Sequence, residues 1–149
     1  MDKYEIRIMV LTGITLAIFM VAILRSSFTY ATGIPECIPY DESFTQPRIE
    51  KLDDKLYQIF ALAQMWSFEP SEIRLPVGAE VDIYLTSKDV VHGLNIHDVS
   101  LNMMAVPGGI NKETVTFKKP GVYKIVCHEY CGSGHQHMMG EIIVNYPNN

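Results

Sequence analysis

Val122-Tyr-Lys-Ile-Val126, then Cys127-His-Glu-Tyr-Cys131-Gly-Ser-Gly-His135-Gln-His-Met138, then Glu141-Ile-Ile-Val144 follow one another near the end of the chain. The outer two stretches are short and rich in β-branched residues, as strands are. The middle stretch joins them and carries cysteine, histidine and methionine together. It reads as a loop of metal-ligating side chains held between two strands, where a rigid β scaffold can fix their geometry.

Working outward, Glu80-Val-Asp-Ile-Tyr-Leu85 and Glu113-Thr-Val-Thr-Phe117 alternate polar and apolar residues, the period of a half-buried strand. Pro76-Val-Gly78 and Lys119-Pro-Gly121 are turn punctuation between such stretches. From about Leu56 onward there is no long amphipathic helical pattern and no internal repeat. Several short strands at roughly regular spacing predict a mainly β domain, an antiparallel sandwich or barrel with Greek-key connections.

Soft thiolate and thioether ligands beside imidazole select copper over hard cations. Cys131, His135 and Met138, taken with the distant His92, make the two-histidine, one-cysteine, weak-methionine set of a mononuclear copper site. Cys127 changes that reading. One copper does not comfortably take two thiolates, two imidazoles and a thioether, whereas two coppers do if both thiolates bridge. Each metal then takes one histidine, and Met138 and a backbone carbonyl fill the weak positions. With no position left open, such a site suits passing electrons and not binding substrate. Zinc is one alternative, but Met138 is a poor zinc ligand. A Cys127–Cys131 disulfide is another, and it would leave the surrounding ligands unexplained. Cys37, the third cysteine, stands alone and reads as a bystander. His97, His128 and His137 read as surface or supporting residues, Met139 and Met103-Met104 as core or patch residues, and Asp89 as a turn or supporting residue.

At the other end, Ile8 to Leu24 contains no charged residue and is bounded by Arg7 and Arg25. At about 1.5 Å per residue it spans about 26 Å, against a bilayer core of about 30 Å. A secretory signal peptide shares this pattern, but the apolar run is long for one. Lys3 and Arg7 before the run favour a cytoplasmic N-terminus and an exported C-terminal domain. Between the two, Ser26 to about Lys55 holds Gly33, Pro35, Pro39 and Pro47 and reads as an irregular connector. The expected organisation is an anchor over 1–30, a connector over 31–55 and a metal domain over 56–149. Net charge is −5 over 149 residues. That modest acidity, with no glycine-rich phosphate loop and no basic stripe, argues against nucleic-acid and nucleotide binding and is compatible with a basic partner.

The run Cys127-x-x-x-Cys131-Gly-x-Gly-His135-x-x-Met138 resembles the binuclear copper signature of the cytochrome c oxidase subunit II family. Asp89-Val-Val-His92-Gly93 resembles that family's first-histidine segment, and Trp66-Ser-Phe-Glu-Pro70 its aromatic segment. The similarity covers about Tyr57 to Val144, and the N-terminal helix loosely. It implies a cupredoxin-like domain holding two coppers. Cys127 and Cys131 would bridge, His92 and His135 would each bind one metal, and Met138 and the Glu129 carbonyl would be weak ligands. The Glu129 side chain would reach a magnesium at the junction with the catalytic subunit. The resemblance implies electron entry from cytochrome c, delivery to haem in a catalytic subunit I, and oxygen reduction there. Its donor would approach from the side opposite the loop, near Trp66, Phe68 or Met103-Met104. The family commonly has two membrane helices before the copper domain, and this chain has one. The single-helix form resembles the B-type oxygen reductases, as does Tyr4-Glu5. That implies a small extra helical subunit, a prokaryotic inner membrane and an outward-facing copper domain. A membrane-tethered cupredoxin shuttle and a copper-delivery module are the competing functions.

Overall fold

The computed structural model describes residues 2–30 and 44–146. Cys37, Pro35 and Pro39 lie outside the described residues, and so does most of the expected connector.

Helix α1 runs Lys3–Tyr30. It passes beyond Arg25 because nothing from Ser26 to Tyr30 is a proline or glycine, so the backbone has no reason to break there. Lys3–Thr29 is long and apolar enough to cross a membrane, with a mean hydropathy of 2.4 over its best window. Leu11, Leu16, Phe19 and Ile23 are exposed around the helix, so its apolar surface has no single buried face.

The β unit is built from β1 (Arg48–Lys51), β2 (Leu56–Gln64), β3 (Ser67–Glu69), β4 (Glu72–Pro76) and β5 (Ala79–Ser87). They are followed by β6 (His92–Ile96), β7 (Leu101–Ala105), β8 (Asn111–Phe117), β9 (Gly121–Val126) and β10 (Met139–Asn145). One sheet has the order β1-β2-β5-β8, with β3 on β2, and the other has β4-β10-β9-β6-β7. The sheets are mixed, and not wholly antiparallel as the sequence pattern suggested. β2 pairs with β5 in parallel, and β4 with β10 in parallel. The reason is connectivity: the chain leaves the first sheet after β3, forms β4 at the edge of the second, and returns to place β5 beside β2. A crossover of that kind delivers a parallel neighbour, where a tight hairpin would deliver an antiparallel one. Gly78, at φ +81°, makes the turn that reverses β4 into β5, a conformation glycine adopts without a Cβ penalty.

Alternation places the core. Ala79, Val81, Ile83 and Leu85 of β5 are buried, and so are Leu94 and Ile96 of β6, Tyr123 and Ile125 of β9, and Ile142 and Val144 of β10. Strand β2 is buried on both faces. Ile59, Ala61 and Ala63 face the main core, while Phe60 and Leu62 form a second cluster with Phe44. Phe44 meets Phe60 edge-on at 5.2 Å, and Phe60 stacks on Tyr84 at 4.8 Å. Residues 44–55 are therefore not all irregular. Phe44 supplies cover for the first sheet, and Arg48–Lys51 supplies a strand paired to β2. The prolines and glycine that signalled a connector lie mostly upstream of this part.

Phe117 of the first sheet meets Tyr123 of the second at 5.0 Å and is fully buried. Phe117→Ala should cost about 3–5 kcal/mol in denaturant unfolding of the full chain in detergent. Val122→Ala, at a half-exposed position one residue from Tyr123, should stay within about 0.5 kcal/mol.

Candidate metal centre

His92 opens β6 and is wholly buried. Its Nε2–H donates to Asp89 Oδ1 at 2.7 Å. Asp89 sits in the turn before β6, where its carboxylate also accepts the backbone N–H of Met65 and of Val90, each at 2.7 Å. Burial pushes the Asp89 carboxyl up, but the His92 hydrogen bond and the two backbone donors outweigh it and hold the group at about 2. Asp89 therefore stays ionised, keeps the proton on Nε2, and leaves Nδ1 with a free lone pair. That Nδ1 is buried and has no hydrogen-bond partner.

The remaining candidates come from the loop between β9 and β10. The loop is closed at its base by Cys127 N–H donating to the Met138 carbonyl at 3.2 Å. A short 3-10 turn, His135–His137, folds its far end back. Inside it, Cys127 Sγ lies 3.9 Å from Cys131 Sγ, and its thiol donates to the Glu129 carbonyl at 3.3 Å. Cys131 Sγ lies 3.6 Å from His135 Nδ1 and 3.7 Å from Met138 Sδ. The donor atoms of His92, Cys127 and Cys131 all fall within 4.8 Å of one another. All six residues singled out in the sequence thus converge, with Glu129 contributing through its backbone. Its carboxylate points elsewhere, half exposed and 3.5 Å from His128 Nδ1.

These atoms fit a soft cation. Cys127 and Cys131 are both free thiols, so the disulfide alternative does not describe this state. Burial first, and the Cys127 sulfur beside it second, push the Cys131 thiol up to about 11. A buried sulfur so placed becomes a thiolate readily only when a cation offsets the charge. The unpartnered His92 Nδ1 needs an acceptor for its lone pair, and Met138 Sδ, buried against Cys131, offers a thioether that hard cations do not use. His97 and His137 lie exposed on short 3-10 turns.

Two features escape a reading of the sequence. Trp66 Nε1–H donates to the Cys131 carbonyl at 3.3 Å. Its ring also occupies the space above Gly132 and Gly134: a Cβ at Gly134 would overlap the indole, and one at Gly132 would come within 3.2 Å of Nε1. The Gly-x-Gly spacing was the available signal for that seat. Trp66 therefore lies on the loop itself, and not on an opposite side. Met103 is 4% exposed and belongs to the core, so it cannot face a donor, and Phe68 is likewise buried. By contrast Met65, Trp66, Val90, Val91 and Tyr130 leave apolar surface exposed.

A β-sandwich closing a buried thiol, imidazole and thioether set at one loop defines a cupredoxin-like metal domain. The family profile described as cytochrome C oxidase subunit II, periplasmic domain, matches residues 58–146, and the chain belongs to that family. Cytochrome c oxidase subunit 2 of Thermus thermophilus is 41% identical over 88 residues, covering 59% of this chain and 65% of that protein. A second such protein, from a further strain of the same organism, is covered over 52% of its length, so the chain spans about half to two thirds of these curated relatives. A chain in a cryo-EM structure of a haem–copper terminal oxidase dimer is 42% identical with a TM-score of 0.82, over 96% of this chain and 100% of that one. The periplasmic domain of subunit II of cytochrome oxidase (CoxB) of Bradyrhizobium japonicum shares the fold, with a TM-score of 0.56 at 21% identity over 60% of this chain and 83% of that one. With helix α1, the chain is a membrane-anchored member of its family.

Asp89→Ala should release His92 from its fixed tautomer and orientation. Metal affinity is expected to fall by about 10–100-fold, measured by competition with a chelator, while the unfolding midpoint of the metal-free chain changes little. An unchanged affinity would show that Asp89 does not support the site.

Proposed function

We propose that this chain is subunit II of a terminal haem–copper oxygen reductase. It accepts electrons from cytochrome c at a binuclear copper centre and passes them to haem in the catalytic subunit I. The observation that carries this reading is the pair of buried sulfurs, Cys127 and Cys131, 3.9 Å apart and ringed by further donors. Cys127, Cys131, His92 and His135 through Nδ1, Met138 through Sδ and Glu129 through its carbonyl would hold the coppers. When bound, the copper pair supplies a one-electron carrier whose charge change is spread over two metals. The chain's own residues hold the ligands rigid and exclude water, and Asp89 keeps the His92 proton on Nε2 through the redox cycle.

The donor docks on the exposed apolar residues Met65, Trp66, Val90 and Val91, which border the site. The Glu129 flank of the loop faces subunit I, where a magnesium could use the half-exposed Glu129 carboxylate together with ligands from the partner. Helix α1 crosses a prokaryotic inner membrane once, with the copper domain on the periplasmic side, and a small helical subunit completes the membrane packing. These assignments rest on family membership, the apolar helix α1 and the placement of charge at its start.

Cys127→Ser and Cys131→Ser should each abolish cytochrome c oxidation by the membrane complex, and Cys37→Ser should leave it unchanged. Met138→Leu should retain both coppers and shift the reduction potential, because it removes only a weak ligand. Loss of oxidation on Cys37→Ser would overturn the ligand assignment. Purification of the tagged chain from membranes should bring a haem-bearing subunit with it, cross-linked through residues 127–139. A complex without haem would count against the oxidase reading and in favour of a shuttle.

A further inference from the structure

Strands β2 and β3 are joined by a two-residue turn, Met65-Trp66. The turn touches both sources of ligands. Met65 N–H donates to Asp89 at 2.7 Å, and Asp89 in turn holds His92. Trp66 Nε1–H donates to the carbonyl of Cys131 itself, at 3.3 Å. The indole lies across the segment that links Cys131 to His135. A Cβ at Gly134 would meet Cγ, Cδ2 and Cε3 of the ring, and one at Gly132 would meet Nε1, Cε2 and Cζ2. Between them the two glycines touch both fused rings. They are glycine for different reasons. Gly132 sits at φ +119°, a conformation that side chains rarely adopt. Gly134, at φ −94° and ψ 4°, has a backbone open to most residues. The three atoms nearest to a Cβ there all belong to Trp66, so the indole is what excludes a side chain.

We propose that Trp66 is a positioning residue for the metal loop: its ring, seated on Gly134 and tied to the Cys131 carbonyl, holds the Cys131–His135 segment in its ligating shape before any metal arrives. The inference deepens the copper reading and rests on it. The backbone hydrogen bonds found in this segment are local to the loop. His135 N–H donates to the Gly132 carbonyl at 3.1 Å, and His137 N–H to the Gly134 carbonyl at 2.9 Å. Two glycines so close together give the segment much freedom to lose, and bonds of that kind alone leave it free to open. Trp66 ties it instead to the end of β2, a strand buried on both faces. A ligand loop fixed in this way loses less freedom when the metal enters, which favours tight binding and one geometry.

The test uses the full chain in detergent with four variants: Trp66→Ala, Trp66→Phe, Gly134→Ala and the Trp66→Ala/Gly134→Ala pair. Two readouts come from the metal-free protein. One is amide exchange at His135 and His137, with the amides of β5 as reference. The other is the fluorescence of Trp66, the one tryptophan in the sequence. Copper affinity, by competition with a chelator, and copper hyperfine structure are measured on the loaded protein. Trp66→Ala should speed exchange at His135 and His137 but not in β5, lower copper affinity by about 10–100-fold, and alter the hyperfine pattern. Trp66→Phe keeps a ring on the seat and should recover part of each loss. Gly134→Ala should lift the indole into water, moving its emission to longer wavelength, and should weaken copper binding in the same sense. It keeps the tryptophan and its turn, so it answers even if Trp66→Ala fails to fold. The double variant should be no worse than Trp66→Ala, because the methyl enters space that the indole has left. Unchanged exchange at His135 and His137 in Trp66→Ala, a Trp66→Phe no better than Trp66→Ala, parent-like emission and affinity in Gly134→Ala, or additive losses in the double variant would each overturn the role of Trp66. A parent protein with a single copper nucleus would instead overturn the binuclear reading, and the metal-free exchange and fluorescence would still decide the role of Trp66.

Discussion

Two sulfur atoms, Cys127 Sγ and Cys131 Sγ, are held 3.9 Å apart inside the protein, each on a residue only 4% exposed. Burial, and the Cys127 sulfur beside it, push the Cys131 thiol up to about 11, so Cys131 favours the neutral thiol until a cation arrives. A cation placed among them is offset by two thiolates, by an imidazole nitrogen that otherwise lacks a partner, and by a thioether. The cost of forming charge in the interior is thereby coupled to metal binding, and the rest of the β unit exists to keep these atoms in reach of one another.

That task is divided among elements distant in sequence. The β9–β10 hairpin supplies both cysteines, His135 and Met138 from one closed loop, whose base is tied by the Cys127–Met138 backbone bond. β6 delivers His92 from the same sheet, and Asp89 fixes its ring from the turn before. The first sheet reaches the site through Met65, whose N–H anchors Asp89, and through Trp66, whose indole roofs the Gly132–Gly134 segment. A rigid ligand set reorganises little when its charge changes, which is the property that electron transfer rewards.

Much of this was legible in the sequence because ligand chemistry is a property of residue types at short spacing. The Cys-x-x-x-Cys and His-x-x-Met spacings pointed to one loop, and β-branched flanks placed that loop between strands. His92 entered the set as the distant second imidazole that the ligand chemistry requires, and the resemblance of Asp89-Val-Val-His92-Gly93 to a family segment supported that choice over His97. The parallel pairing of β2 with β5 was not legible, because alternation reports which face is buried and not which neighbour runs alongside. Arg48–Lys51 was read as connector since a short, charged edge strand looks like a loop until its partner is seen. The sequence left Met103 and Met104 together as core or patch residues, but adjacent strand residues point to opposite faces, which puts Met103 in the core. The seat of Trp66 on the glycines and that of His128 on Gly93 depend on contacts across the fold, where a glycine's role is visible only through what fills its missing side chain.

The central claim is that both sulfurs serve one electron-carrying centre of two metals. Electron paramagnetic resonance of the copper-loaded, oxidised chain measures this directly, because an unpaired electron reports how many copper nuclei it visits. The expected spectrum shows hyperfine structure from one electron shared equally by two copper nuclei, with two coppers bound per chain. A spectrum of an electron confined to a single copper nucleus, with one copper per chain, would contradict it.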